Sequence, residues 1–365
     1  MSKLSDKTTI PFFTLFNSTN RNLSKMKHIR IFAFFLILIF FSCEKEKNTP
    51  INENFNNGVF ILNEGNFQWE NSSVSFYSFN SKNVNNHIFY NKNQKKLGDV
   101  AQSMTIKDSL AYIVVNNSQK IEIVNIKNFQ SVGTIYGFTS PRYIQILNNQ
   151  KAYVTDLYSN TIQIVNLEQK SISSKINCNA WCEQMFLFDN KLFVANVGKN
   201  QILIINTVTD EIIDSINTSA AANSLVIDKN EKIWALCGNI YGKSGNASLI
   251  RFDPENMNIE ITYQFGETNA TPTNLRINSS GDTLFFANNN IYRMSINDLE
   301  LPEESFISAK KNNIYGLGIN PNNSDIYFTD ALDYLQNGIV FRYSQTGILL
   351  DSFNVGIIPQ FLCFN

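Results

Sequence analysis

Histidine is nearly missing from this sequence: only His28 and His87 occur among 365 residues. A serine or cysteine nucleophile system needs an imidazole base, and a catalytic zinc site commonly uses imidazole ligands. Charge is scarce as well. Only 17% of the residues are Asp, Glu, Lys or Arg, and the net charge is −1. A nucleic-acid binder is normally basic, so that class is disfavoured. The balance is also uneven, because residues 1–42 hold six Lys/Arg against one Asp and leave the remainder acidic. Helical periodicity is lacking over any useful length. What is abundant is aromatic: 29 Phe and 14 Tyr, which suit β-strands better than helices.

The apolar run at 31–41, IFAFFLILIFF, is eleven residues long and follows Lys25, Lys27 and Arg30. A membrane span takes about 20 residues and a signal-peptide core roughly 7–15, so the run reads as an export signal. It ends in Ser42-Cys43. A small residue before Cys resembles a bacterial lipobox, which implies lipidation of Cys43. An ordinary cleavage site with an incidental Cys is the alternative. The expected organisation is an upstream extension at 1–25, a lipoprotein signal at 26–42, a lipidated Cys and flexible tether at 43–57, and one folded domain at 58–365.

That domain repeats. An apolar residue followed by an aromatic opens a strand seven times, with the aromatic at Phe60, Tyr112, Tyr153, Phe193, Trp234, Phe285 and Tyr327. Each copy continues through an Asx/Gly turn into a second strand, such as KIEIVNI (120–126), and then a weaker outer strand. A further strand precedes each pair, for example SMTI (103–106). Four short strands in about 40–45 residues mark a propeller blade. The first copy lacks its leading strand, and PQFLCF (359–364) supplies it from the other end of the chain. The predicted fold is all-β: a seven-bladed β-propeller whose ring closes when the C-terminal strand pairs into the first blade. The seven aromatics are expected to be packing between blades.

In such a ring the loops entering the innermost strand share one face with those leaving the second strand. Phase places Gln102, Arg142, Glu183, Asn223, Thr273, Tyr315 and Gln360 around one channel mouth. A second set, Asn63, Asn116, Asp156, Asn196, Cys237, Asn288 and Asp330, ends the second strands, where Asx turns explain most members. Long loops in the first, fifth and seventh blades add Phe67, Trp69, Tyr241 and Tyr334, and Tyr158 and Trp181 lie on the same face. The candidate ligand-binding residues are Phe67, Trp69, Arg142, Tyr158, Trp181, Glu183, Tyr241, Tyr315, Asp330 and Tyr334. Aromatic planes beside amides and hydroxyls suit a large, flat, partly polar ligand.

His87 falls near the outer strand of the first blade, so no imidazole is expected at the mouth and no catalytic residue is assigned. Carboxylates on this face (Glu64, Glu70, Glu183, Asp99, Asp156, Asp330, Asp333) show no spacing that selects a catalytic pair. Calcium at Asp330 and Asp333 stays open, although no calcium-loop motif is present and no metal site is assigned. Cys178, Cys182 and Cys237 share the face, while Cys363 belongs to the closing strand. Cys182 can pair with Cys178 or Cys237, or all can be free thiols.

Strands such as AYVTDLYSNTIQIVNL (152–167) are similar to the YncE/YVTN class of surface propellers. GVFILNEGNFQWENSSVSFY (58–77), LGDVAQSM (97–104) and KIWALCGNIYGKSGNASLIRFDPE (232–255) resemble the DUF5074-type propeller lipoproteins of Bacteroidota. Members of that group include surface cobalamin-binding proteins that cap a TonB-dependent outer-membrane transporter. The resemblance implies a lipid-anchored, surface-exposed outer-membrane protein that captures cobalamin or another bulky nutrient without catalysis and needs no cofactor. An interaction scaffold for protein or glycan is the alternative function, and a propeller lyase or glycosidase ranks last.

Overall fold

The computed structural model describes residues 55–365 except 240–244, 268–269 and 311. Cys43, the leader and Tyr241 therefore lie outside the described residues. Seven small antiparallel sheets form the ring. The second blade shows the plan: Ala101–Lys107 is innermost, followed outward by Leu110–Val115, Lys120–Asn125 and Ser131–Tyr136. The first blade is built from both chain ends, with Pro359–Phe364 pairing antiparallel to Gly58–Asn63. Ring closure thus takes the form expected from the sequence.

The aromatic repeat has a packing cause. Successive residues of a strand face opposite sides of the sheet, so each blade presents apolar side chains to both neighbours. Seven buried clusters result, one in each seam between adjacent blades. All seven repeat aromatics are buried within them. The closing seam holds Val59, Tyr77, Tyr327 and Leu362. In the same seam the Tyr77 hydroxyl donates to Asp351 at 2.6 Å, and Arg342 pairs with Asp325 at 2.6 Å.

One expectation fails locally. The sixth blade has three strands, Thr273–Ile277, Thr283–Asn288 and Asn290–Ser295. An irregular segment replaces the fourth and touches the sheet through one bridge, Ile291 with Ile307. Pro302 lies in that segment and has no N–H to give a ladder. A short helix, Ile88–Asn93, follows the first blade's outermost strand, Val84–Asn85, and buries Ile88 and Phe89. His87 begins this helix on the exposed outer side.

Candidate functional site

The innermost strands do more than pair. In every blade the register between the innermost strand and its neighbour shifts at or beside the phase-selected residue. Such bulges re-aim side chains. Gly316 shows how close the strands come there, because a side chain at this position would strike the backbone carbonyl of Gln360 in the next blade. Only glycine fits.

The bulged residues surround a cavity of about 690 Å³ at the channel mouth. Arg142, Glu183, Asn223, Thr273, Tyr315 and Gln360 line it, joined by Trp181, Asn239, Asn274, Lys310, Asn312 and Asn313. The seventh phase-selected residue, Gln102, accepts a hydrogen bond from Arg142 Nη1. Arg142 Nε donates to both Glu183 oxygens, at 2.8 and 3.1 Å. Trp181 Nε1 donates to Glu183 Oε1 at 2.6 Å, which holds the indole at the wall. Three neighbouring blades are thereby linked through one guanidinium. Burial opposes the charge on Arg142, but the adjacent Glu183 outweighs it and raises the guanidinium pKa.

Opposite this pair, the Tyr315 hydroxyl donates to Glu64 Oε2 at 3.0 Å. Burial pushes the Glu64 carboxyl up to about 7, against the pull of Arg142 and of the Tyr315 hydrogen bond. Burial, followed by the charge of Glu183, likewise raises Tyr143 to about 12. Because Glu64 is pushed above its ordinary 4.5, the folded state holds the proton more tightly than the unfolded chain. Its contribution to stability is fully present below pH 4.5 and is lost as pH rises toward about 7. We expect Glu64→Gln to remove that decline. Urea melts of both proteins across this range measure it, and an unchanged pH dependence would contradict the assignment.

Several polar atoms remain unpartnered at the mouth, namely Gln360 Oε1, Asn239 Oδ1 and Gln102 Nε2. Buried atoms of this kind ordinarily bond to water or to a ligand. Among the described residues, no group of three His, Cys, Asp or Glu is arranged to hold a metal ion.

The remaining candidates divide. Tyr334 stands behind Tyr315, edge-on at 5.8 Å. Phe67, Trp69 and Tyr158 are 63%, 68% and 71% exposed and do not line the cavity. The loop carrying Phe67 and Trp69 is nevertheless pinned: Asp99 accepts from Gln68 N at 2.7 Å, and Asn66 donates to the Tyr334 carbonyl at 2.6 Å. Asp330 is buried and accepts from the backbone of Asn313 and Leu332, so it supports a turn and does not line the cavity. Asp156 does the same for Thr139, Ser140, Tyr158 and Ser159. Lys310, Asn312 and Asn313 were not singled out by phase. They stand just before the seventh innermost strand, Ile314–Ile319, and the Asn-Asn pair at that loop end was the available signal.

The fold and this mouth define a ring propeller with a polar, aromatic-walled cavity at one end of its channel. The chain matches the model of DUF5074, a domain of unknown function, over residues 57–355 and belongs to that family. No curated protein matches the sequence. Among solved structures, a quinonprotein alcohol dehydrogenase-like protein from Bacteroides thetaiotaomicron is similar at 15% identity and TM-score 0.67, covering 86% of this chain and 79% of that one. Hydrazine synthase of Kuenenia stuttgartiensis is similar at 16% identity and TM-score 0.56, covering 71% and 88%. A computationally designed protein, Ika8, gives 10% identity and TM-score 0.54 over 84% and 90%. At these identities the likeness is one of fold.

Proposed function

We propose that this protein is a non-catalytic capture module that binds a bulky, largely uncharged ligand at the channel mouth. The observation that carries the reading is the cavity wall. It is dominated by side-chain amides and three aromatic residues, Tyr143, Trp181 and Tyr315; its Arg142–Glu183 pair neutralises itself and leaves Lys310 as the one further charge among the lining residues. Such a wall offers many neutral hydrogen bonds and flat apolar contact. A corrinoid fits that chemistry, since its broad ring carries primary amides around the rim. Cobalamin is therefore the favoured ligand, with Phe67, Trp69 and Tyr334 available to whatever part of it projects from the cavity.

The resemblance of the leader to a lipobox supports anchoring through Cys43 at the outer membrane. The resemblance to cobalamin-binding surface lipoproteins supports delivery to a TonB-dependent transporter. The exposed aromatics on the pinned first loop favour a second reading, a surface that meets a protein or glycan partner directly. Calorimetric titration of the chain from Glu44 onward with cyanocobalamin tests the main reading. Saturable one-to-one heat is expected. Absence of heat at micromolar protein would remove cobalamin, and a pull-down that succeeds without ligand would favour the second reading.

A further inference from the structure

The loop entering the fourth blade brings two thiols together beside the cavity. Cys178 and Cys182 are both buried and free. Both sulfurs face the Ala180 carbonyl, at 3.0 Å for Cys178 and 3.8 Å for Cys182. The two ends of the loop are fixed by one residue. Asn196 Nδ2 donates to the Cys178 carbonyl at 3.0 Å, and Asn196 is also the strand partner of Cys182. Cys178 N donates to the Asn160 carbonyl of the preceding blade at 3.0 Å. Gly198 is needed because a side chain there would strike Ala180. Cys237 instead lies near Ser248 and Thr218.

We propose that Cys178 and Cys182 form a reversible disulfide that fixes the cavity wall carrying Trp181 and Glu183. The two sulfurs are not equivalent. Cys178 keeps 3% of its surface exposed where it borders a surface depression of about 350 Å³ also lined by Lys199, whereas Cys182 has no exposed surface. The Cys182 thiol beside it lowers the Cys178 pKa against the effect of burial, while Cys178 and burial raise that of Cys182. Cys178 is therefore the attacking thiol. Its thiolate attacks one sulfur of a low-molecular-weight disulfide, joins it and expels the other half as a thiolate. Cys182 then loses its proton, attacks Cys178 Sγ and releases the second half. Two protein thiols are oxidised, one small disulfide is reduced to two thiols, and the proton count balances between them. The bond does not depend on which ligand the cavity takes.

The test is to incubate the intact chain with oxidised glutathione in native buffer and map tryptic peptides. The peptide at 176–191 should be lighter by two hydrogens, with Cys237 and Cys363 still open to alkylation after unfolding. Dithiothreitol should reverse the change. Cys182→Ser should accumulate a glutathione adduct on Cys178, because the resolving thiol is gone. A bond between Cys182 and Cys237, or an unmodified pair after overnight exposure, would overturn the proposal. A Cys182→Ser chain that takes no adduct would overturn the role of Cys178.

Discussion

Deleting residues 359–365 should abolish cooperative folding of the ring. The segment is the innermost strand of the first blade and is paired along Gly58–Asn63 from Val59–Phe364 to Asn63–Pro359. It also closes two seams: Phe361 and Cys363 pack against the cluster between the first and second blades, and Leu362 lies in the closing cluster. Asn365 exchanges backbone hydrogen bonds with Gly58 at 2.9 and 3.0 Å, and its side chain donates to the Phe55 carbonyl at 2.8 Å. Removing the strand exposes an apolar edge and opens two seams together. The loss should reach the ~5–15 kcal/mol that holds an ordinary domain folded. A thermal melt with near-ultraviolet dichroism reads this. A truncated chain that melts cooperatively near the intact protein would show that the ring closes by other means.

Arg142→Ala should be the most damaging single change at the mouth. Glu183 is almost fully buried, with its side chain 6% exposed, and Arg142 supplies its compensating charge. Without the guanidinium, Trp181 Nε1 still donates to Glu183, but Gln102 loses its partner and Glu64 lies nearby as a second carboxylate. Leaving a buried charge unpaired costs about 3–5 kcal/mol. The double change Arg142→Ala with Glu183→Gln should recover much of the loss, because no charge remains to desolvate. Urea melts separate these outcomes. A loss below about 1 kcal/mol for the single change would mean that water in the channel already solvates the pair.

The ring was legible because blade packing imposes a strict phase: an aromatic must return at the same place in each second strand to fill a seam. Six of the seven mouth residues chosen by that phase line the cavity, and the seventh, Gln102, is bonded to Arg142. The bulges that aim them were not legible, since register is settled between strands. The Tyr315–Glu64 bond joins residues 251 positions apart and exists only after closure. Loop aromatics carry no phase, so Phe67, Trp69 and Tyr158 could be placed on the correct face but not in or out of the cavity. The missing strand of the sixth blade was readable in principle from Pro302.

The most direct test of ligand capture at the channel mouth compares Trp181→Ala and Phe67→Ala with the unaltered chain in the cyanocobalamin titration. Trp181 lines the cavity and is held by Glu183, so its loss should weaken binding by about 30-fold, the effect of a central aromatic anchor worth about 2 kcal/mol. Phe67 is 63% exposed outside the cavity, and its loss should change affinity far less. Tight binding by Trp181→Ala, with binding lost in Phe67→Ala, would move the site off the channel and contradict the account.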